Sequence, residues 1–382
     1  MSEVKNFAEK ACPAPIREVL NRVRPKLGRV KKKLKRAFRE RYLIGTAPIR
    51  HKVALRKAKK KDEIRVVLLL ARVEIWKCDS LYWAFEESKR FRPTVLVLPF
   101  TLKGKTYQRK ELRKAEKYCK DEGFRFVNSC DDKTTGTEEV YQMMESDITI
   151  FTNPKQFKVD IHINDLTCYV PYSFRISGTL HEYEYNSLFV NVIWKNFFES
   201  DVHLQLAKKY ARNSGSNVEA IGFPHLDKFR GESEPDPWKQ LGPDKERIIW
   251  APHWTIEGYQ GSGISWSCFL DYYQLFVDLA EKYKEDVQFA LKPHPSLVPL
   301  LQKDDLWGKA KTNEYIQVWK EHPNLRYVEG DYVDLFLNSD ALIHDSGSFM
   351  VEYLMVDNPV AYTFHDRNPK DDFNAFGERA FE

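Results

Sequence analysis

Short apolar runs alternate with helical segments along most of the chain, and this alternation limits the folds that it can adopt. The runs at residues 65–71 and 94–99 are apolar almost throughout rather than at every second position. Such strands are buried on both faces, which is typical of parallel sheets covered by crossover helices. The sequence therefore predicts an α/β protein, with further strands of this first half at 124–127, 147–151 and 167–171.

The same rhythm returns after a charged, proline-containing segment near residues 231–244. Between the two halves, the aromatic-rich stretch 182–210 is predicted to be helical. We expect two Rossmann-like domains that face each other across a cleft, residues 63–230 and 231–382, because each half alternates strands and helices. The strands of the second half are predicted at 247–251, 287–292, 325–328, 341–344 and 360–363.

Residues 1–62 form a strongly basic segment in front of this body. They contain 21 Lys and Arg against 5 Asp and Glu, whereas the rest of the chain has 39 basic and 50 acidic residues. From residue 16 to 42 apolar side chains recur every three or four positions, which predicts a basic amphipathic helix, kinked or restarted near Pro25, and a charged linker at 56–62. We interpret residues 16–42 as a contact with an anionic membrane surface, with packing on the protein itself as the second interpretation. Nucleic acid is not expected as a partner, because the acidic body repels a phosphate backbone.

Cysteine usage and hydropathy indicate a cytoplasmic protein. The six cysteines show no C-x-x-C pair and no histidine at metal-ligand spacing, so we expect reduced thiols, no metal and no cofactor. The longest strongly apolar run, residues 66–71, is too short to cross a bilayer. The charged N-terminus does not resemble a signal peptide. With the basic helix, this predicts a peripheral protein at the inner face of the cell membrane.

Polar residues follow four predicted strands of the second half. His253 comes after the first strand, Lys292 and His294 after the second, Asp331 after the third and Asp345 after the fourth. Because the carboxyl ends of parallel strands meet at one edge of a sheet, we expect these side chains in one crevice. Two imidazoles and a lysine suit a nucleotide diphosphate, and His294 could bond a phosphoryl oxygen or protonate a leaving group.

The segment Asp345-Ser346-Gly347-Ser348 lies where the last of these strands turns into a helix. The free N–H groups of a first helical turn attract anions, and we expect Gly347 to let a diphosphate approach the backbone closely. Glu352, seven residues after Asp345, is placed to accept ribose hydroxyls. The alternative is an ordinary helix cap without a ligand.

The ordered motifs of residues 218–360 resemble those of a known family. They are K-P-H-P at 292–295, G-D-Y-x-D-L-F at 330–336, S-D-x-x-I-x-D-x-x-S at 339–348 with Glu352 beyond it, and N-P-V at 358–360. Upstream, G-F-P-H-L-D at 222–227 and A-P-H-W at 251–254 are similar to two further turns of that family. It is the CDP-glycerol glycerophosphotransferase family of teichoic-acid and capsule polymerases, which adopt the GT-B fold.

The resemblance implies a transferase that moves an alditol phosphate, such as glycerol phosphate, from a CDP-linked donor to a hydroxyl of a cell-surface glycan or lipid-linked glycan. It also implies the residues that hold the nucleotide diphosphate and ribose: Lys292, His294, Asp345, Ser346, Ser348 and Glu352. We add Asp331 and Gly347 from their positions at the strand ends.

The expected catalytic base is where this chain departs from the family. Teichoic-acid polymerases carry W-H-G after a strand of the first domain, whereas residues 168–172 of this chain, C-Y-V-P-Y, contain no histidine. His253, where the family usually has Thr, is a candidate for the replacement base or for a substrate clamp. On the acceptor side the candidates are Tyr169, Tyr172 and His181.

Two other functions fit the sequence. A GT-B glycosyltransferase would break the bond between sugar carbon and oxygen of a nucleotide sugar, and it would leave no phosphate in a surface polysaccharide. A non-catalytic scaffold would bind membrane or nucleic acid through residues 1–62 alone.

Overall fold

The computed structural model describes residues 14–100, 104–129, 137–156, 158–231, 236–238, 245–259, 265–365 and 369–382. Within these ranges the strands form two parallel sheets, one in each half of the chain. The prediction of an α/β protein with two Rossmann-like domains is confirmed.

The first sheet has the strand order β3-β2-β1-β4-β5-β6-β7. Its central strands are buried, since Val66, Leu68 and Leu70 of β1 are each 1% exposed or less. Helices cover both faces, which accounts for the uninterrupted apolar runs of the sequence. The strands are β1 Ile64–Leu70, β2 Phe91–Val97, β3 Phe126–Asn128, β4 Ile148–Phe151, β5 Leu166–Tyr169, β6 Lys195–Phe198 and β7 Val218–Ala220.

The second sheet has the order β10-β9-β8-β11-β12, and all its neighbouring strands are parallel. All five strands agree with the predicted ones. They are β8 Glu246–Ala251, β9 Val287–Leu291, β10 Leu325–Tyr327, β11 Ala341–His344 and β12 Val360–Tyr362.

The described helices lie between the strands and at the two ends of the chain. The first half has α1 Ala14–Ala58, α2 Asp79–Glu86, α3 Lys105–Asp121, α4 Thr137–Met143, α5 Val159–His162, α6 His181–Glu184, α7 Leu188–Val192 and α8 Asp201–Tyr210. The second half has α9 Phe269–Lys282, α10 Leu297–Leu301, α11 Gly308–Glu321, α12 Val333–Leu337, α13 Ser348–Tyr353 and α14 Ala375–Phe381. Single 3-10 turns occur at Val73–Ile75, Pro154–Gln156, Pro224–Arg230 and Pro369–Asp372.

The prediction of a helical region over residues 182–210 is wrong in its centre, where the structure has strand β6. Lys195 and Asn196 interrupt the apolar pattern of that strand and conceal it in the sequence. Asn196 is fully buried, and its side-chain amide donates to the carbonyl of Val190 at 2.9 Å. A buried polar residue is tolerated inside a sheet when its hydrogen bonds are made locally.

The N-terminal helix α1 is longer than predicted and has two different faces. It is assigned as one helix through Pro25 and continues to Ala58, so a second helix starting at Pro25 and a linker beginning at residue 56 are both wrong. Ala47, His51 and Ala58 are buried against the first domain, with contacts to α7 and β5. Packing on the protein therefore holds the second part of the helix. The side chains of residues 14–29 lie outside the described ones.

The outward face of α1 carries large apolar side chains that no described part of the protein covers. The exposed fractions are 72% for Phe38, 68% for Tyr42 and 68% for Ile49. At 100° per residue these positions lie on the side of the helix opposite Ala47 and His51. Leu34 and Val53 extend the same stripe, at 54% and 47% exposure.

The C-terminal segment returns to the first domain. The N–H of Gly178 donates to the carbonyl of Asp372 at 2.6 Å, and the N–H of Asn374 donates to Ile176 at 2.7 Å. Asn374 also caps α14, because its Oδ1 accepts the N–H groups of Phe376 and Gly377, each at 3.0 Å. The two domains are thus connected by the chain between β7 and β8 and again through this segment.

Candidate active site

A cavity of about 760 Å³ lies between the two domains, at the carboxyl ends of their strands. Residues after β1 and β5 form one wall, and residues after β8, β9, β10 and β11 form the other. The convergence predicted for the second sheet is therefore present. Of the residues predicted to bind or react, those that line the cavity are His253, Lys292, His294, Asp331, Ser346, Gly347, Ser348, Glu352 and Tyr172.

Lys292 supplies the buried positive charge of the second wall. It follows β9 directly, and it is only 4% exposed. Burial lowers the pKa of its ammonium group to about 8, although the charge of Asp331 acts in the opposite direction. In the part of the chain that the structure describes, no acceptor lies within hydrogen-bond distance of Nζ. A buried cation without a partner is costly, which indicates that an anion belongs beside it.

The two histidines of this wall lie side by side, with ring centroids 5.0 Å apart. Nδ1 of His294 accepts the N–H of Ser296 at 3.0 Å, so the proton of the neutral ring is on Nε2, where it can be donated. Nδ1 of His253 pairs with Oγ1 of Thr255 at 2.8 Å, which leaves its Nε2 for a substrate. Burial lowers the pKa of both rings, that of His253 to about 3, so both imidazoles are neutral at physiological pH.

The turn between β11 and α13 brings two hydroxyl groups into the cavity. Ser346 is 7% exposed, and its buried Oγ has no hydrogen-bond partner among the described residues. Ser348 begins α13 and is half-buried at the cavity edge. An unsatisfied hydroxyl that lines the same cavity as the ammonium group of Lys292 suits an anionic oxygen of a ligand.

Gly347 is required here for a different reason from the one that we expected. A Cβ atom at this position would lie 2.8 Å from Cδ1 of Ile176 and 3.1 Å from Cζ3 of Trp266. The glycine thus permits the first domain to approach the turn closely. Its φ of −81° is one that any residue adopts, so steric space and not backbone conformation selects glycine.

Asp345 lies behind the cavity wall and not in it. It is fully buried, and its carboxylate accepts the backbone N–H groups of His253 and of Cys268, the latter at 2.7 Å. Burial raises its pKa to about 7, partly offset by these two hydrogen bonds. The predicted contact of Asp345 with the nucleotide is therefore replaced by a positioning role, since this carboxylate fixes the turn that carries His253.

Glu352 is the end of a buried network that links the two domains. The hydroxyl of Tyr332 donates to its carboxylate, and Nζ of Lys77 lies 3.0 Å from the same hydroxyl and 2.9 Å from Nε2 of His225. Burial raises the pKa of Glu352, and the charge of Lys77 lowers it. A ribose that uses this carboxylate has to share it with Tyr332.

Asp331 lies at the rim of the cavity, in contact with the same network. Its Oδ1 accepts the N–H of Tyr332 at 2.6 Å, and its Oδ2 is 3.6 Å from Nζ of Lys228. Lys228 also pairs with Asp79 of the first domain at 2.9 Å. Asp331 therefore contributes to the junction between the domains as well as to the rim.

The wall formed by the first domain contains one of the three acceptor-side residues that the sequence suggested. Tyr172 lines it, together with Ser173, Tyr183 and Glu184. Tyr169 does not, because the side chain is 6% exposed and packs against Phe189 in the core. His181 is also outside the cavity, where it stacks on Tyr210 at 4.1 Å. The acceptor-side role predicted for Tyr169 and His181 is wrong.

A buried ion pair holds the first-domain wall in place. The guanidinium of Arg175 bonds both carboxylate oxygens of Glu199, at 3.1 and 2.5 Å. The carbonyl of Arg175 accepts Nε2 of His203 at 2.7 Å and the side-chain amide of Asn374 at 2.7 Å. A bidentate pair of this kind fixes the geometry of the loop after β5.

Several cavity residues were not singled out from the sequence, and the rule about strand ends could have found some of them. Arg72 and Lys77 follow β1, the central strand of the first sheet, at the edge where ligands bind. Glu184 and Trp266 are in segments without regular strand-end spacing, and no sequence signal distinguishes them.

Comparisons with known proteins agree with this geometry. A family model described as CDP-glycerol:poly(glycerophosphate) glycerophosphotransferase matches residues 195–371, whereas no curated protein sequence matches the chain. Among solved structures, the wall teichoic acid polymerase TagF is 15% identical, with 89% of this chain and 78% of that chain covered and a TM-score of 0.50.

Two epimerase-type structures have similar scores. A putative UDP-N-acetylglucosamine 2-epimerase from Listeria monocytogenes is 14% identical, covers 83% of this chain and 82% of its own, and has a TM-score of 0.51. S. aureus MnaA, solved with UDP, is 13% identical over 78% of each chain, with a TM-score of 0.50. At these identities the structures show the common GT-B fold. Residues 195–371, which carry the second wall of the cavity, are similar to the CDP-glycerol:poly(glycerophosphate) glycerophosphotransferase family of enzymes.

Proposed function

We propose that the cavity transfers an alditol phosphate, such as glycerol phosphate, from a CDP-linked donor to a hydroxyl of a cell-surface glycan. The observation that carries this proposal is the second wall, where the family motifs place an unpaired buried lysine, two neutral histidines and an unsatisfied serine hydroxyl. These groups can surround a diphosphate without a bound cation of their own.

On this proposal, Lys292 and the hydroxyls of Ser346 and Ser348 bind the diphosphate oxygens. His294 donates its Nε2 proton to the phosphoryl group, and His253 contacts the same group from the adjacent turn. Glu352 accepts a ribose hydroxyl at the far end of the cavity. The supporting features are the free Nζ, the tautomer of His294 and the burial of Lys292, Ser346 and Glu352, because burial strengthens charge interactions.

The reaction is a displacement at phosphorus. The acceptor oxygen forms a bond to the phosphorus of the alditol phosphate, and the bond from that phosphorus to the bridging oxygen breaks. CMP leaves with the electron pair, and the acceptor proton passes to a base. Lys292, His294 and the serine hydroxyls stabilise the charge that grows on the leaving phosphate.

No metal is assigned a role in this reaction. Among the described residues, the group with spacing for a metal is Cys268, Asp271 and His365. None of the three lines the cavity. On this proposal, the ammonium group of Lys292 and the hydrogen-bond donors of the second wall stabilise the charge that a divalent ion stabilises in other phosphoryl transferases.

A phosphate-bearing acceptor chain fits the mouth of the cavity. Lys114 and Lys117 of α3 line it, and Arg109, Lys110 and Arg113 continue the same helical face around a second, open pocket. This basic face stands out in a body with excess acidic residues. Charge complementarity therefore supports an anionic glycan as the acceptor.

We propose that the protein works at the inner face of the cell membrane, with the outward face of α1 in the lipid interface. The exposed stripe from Leu34 to Val53 lies among lysines and arginines, the arrangement of helices that lie on anionic bilayers. No described helix is long and apolar enough to span a membrane. A lipid-linked acceptor would then reach the cavity from the side of the first domain, on which α1 packs.

The second candidate function is transfer of a sugar from a nucleotide sugar, which the UDP-bound structure of similar fold favours. Product analysis separates the two. With CDP-glycerol as donor we expect release of CMP and a new phosphodiester signal in the ³¹P spectrum of the glycan. Release of a nucleoside diphosphate from a nucleotide sugar, with no phosphate in the product, would contradict the proposal.

A further inference from the structure

The proposed transfer needs a group that takes the proton of the acceptor hydroxyl. In that proposal the polar residues of the second wall bind the nucleotide diphosphate and the ribose, so the base is sought on the first-domain wall. The first-domain wall contains three carboxylates, Glu74, Asp121 and Glu184. Glu74 pairs with Arg72 and Lys114, and Asp121 pairs with Lys117. Glu184, at the end of α6, makes no ion pair with the described residues. Tyr172 and Tyr183 lie close to it in the same wall. An acceptor hydroxyl that approaches the donor phosphorus from this side meets these residues.

The carboxylate of Glu184 has no structural partner. Its Oε2 atom is buried, and the described residues offer it no hydrogen bond. By contrast, Glu199, which is buried outside the cavity lining, is fully engaged with Arg175. A buried carboxylate oxygen without a donor is rare in folded proteins, because it loses water and gains nothing in return. The geometry is therefore that of a group kept available for a ligand.

We propose that Glu184 is the general base that accepts the proton of the acceptor hydroxyl. This assignment rests on the proposed function and deepens it. The step balances as follows: the hydroxyl proton moves to Oε of Glu184, the hydroxyl oxygen forms its bond to phosphorus, and CMP leaves with the electrons of the broken bond. The proton is released from Glu184 to solvent after the product departs.

The electrostatics of the wall agree with this role. Burial raises the pKa of Glu184 to about 8, with Arg175 lowering it and Glu199 raising it. A base is most effective when its pKa is near the working pH. His253 is a poorer proton acceptor, because burial lowers its pKa to about 3 and its protonated form is therefore unstable. Tyr172 has a pKa raised by burial and by the charge of Glu184, so it stays protonated.

The test is the Glu184→Gln variant, with Glu182→Gln as the matched control. Glu182 is on the same short helix but exposed, where it accepts the amide of Asn186 at 2.8 Å, and it does not line the cavity. With CDP-glycerol at saturation, we expect Glu184→Gln to lower kcat by about 10²- to 10⁴-fold and Glu182→Gln to lower it less than twofold. Affinity for CDP should change less than threefold in both.

Two further readouts separate a base from a residue that only shapes the wall. The kcat of the parent should rise about tenfold per pH unit up to pH 8, as Glu184 loses its proton, and this rise should be absent in Glu184→Gln. Formate should restore part of the activity of Glu184→Ala, because it can occupy the space and take the proton. If the parent is active and Glu184→Gln retains more than a third of its kcat, Glu184 is not the base, although the proposed function still stands. An inactive parent with CDP-linked donors would overturn the proposed function as well.

Discussion

The two walls of the cavity differ in how they are built. The second wall comes from four successive strand ends and carries the motifs of the family, and the matched region begins only at residue 195. The first wall includes the loop after β5, which the Arg175–Glu199 pair holds, and it carries Glu184 outside the region that the family model matches. The residues of the second wall, the proposed donor side, can therefore be identified from sequence motifs. Those of the first wall, the proposed acceptor side, can be identified only from burial and packing in the folded structure. Changes to the two walls should therefore have separable effects on nucleotide affinity and on turnover.

The largest effect on the second wall is expected for His294→Ala. Its Nε2–H stabilises the charge of the leaving phosphate, so we expect kcat to fall by about 10²- to 10³-fold, as for loss of other preorganised donors. Steady-state assays with CDP-glycerol would measure it. The control is His322→Ala, because His322 lies outside the cavity. A tenfold weaker affinity with unchanged kcat would make His294 a binding residue only.

The outward face of α1 is the surface that we propose to contact the membrane. Replacing Phe38, 72% exposed, with Ser should not unfold the protein but should weaken binding to anionic vesicles by about tenfold. This corresponds to ~1.4 kcal/mol, near the lower limit for burial of a large apolar side chain. Vesicle sedimentation would measure it, at low and high salt. Unchanged binding by the variant, or equal binding to neutral vesicles, would argue against an interfacial helix.

Nucleotide affinity should depend on pH through Lys292. The pKa of this lysine is lowered to about 8 by burial, so its charge is present below pH 8 and lost above it. We expect CDP to bind about tenfold more weakly at pH 9 than at pH 7, because the neutral amine attracts the diphosphate poorly. In Lys292→Met this difference should disappear. An equal pH dependence in the parent and the variant would assign it to another group.

A smaller effect is expected for Ser348→Ala at the cavity edge. Loss of one hydroxyl hydrogen bond is worth roughly 0.5–1.5 kcal/mol, which corresponds to about two- to twelvefold weaker CDP binding. Calorimetric titration would resolve this difference. Gly347→Val is not a suitable companion, because its side chain would collide with Ile176 and move the first wall. If Ser348→Ala binds CDP with the same affinity as the parent, the hydroxyl of Ser348 does not contact the nucleotide, and the residue only begins α13.

The sequence predicted the second domain better than the first, for physical reasons. The strands β8, β9 and β11 are mostly apolar, and polar side chains follow four of the five strands, so both strands and site follow from local pattern. In the first domain, β6 is hidden by Asn196, whose buried side-chain nitrogen donates to the carbonyl of Val190. The apolar pattern of the sequence does not indicate that a polar residue of a strand will be buried with such a hydrogen bond.

The same distinction applies to individual site residues. Lys292 and His294 are predictable, because strand-end position alone brings them to the cavity. Asp345 shares that position, but its carboxylate turns to the backbone of Cys268 on a loop 77 residues away in the chain. Tyr169 is the last residue of β5, and its side chain packs in the core. The ring of His181 stacks on Tyr210 and therefore does not reach the cavity. Side-chain direction in these cases depends on tertiary contacts.

The most direct test of the central claim, that the second wall alone holds the nucleotide, is calorimetric titration of Lys292→Met and Glu184→Gln with CDP. A hydrogen bond to a charged group is worth roughly 1.5–3 kcal/mol, so Lys292→Met should bind CDP about 10- to 100-fold more weakly than the parent. Glu184→Gln, on the opposite wall, should bind it within threefold of the parent. Unchanged affinity in Lys292→Met, or an equal loss in both variants, would contradict this division between the two walls.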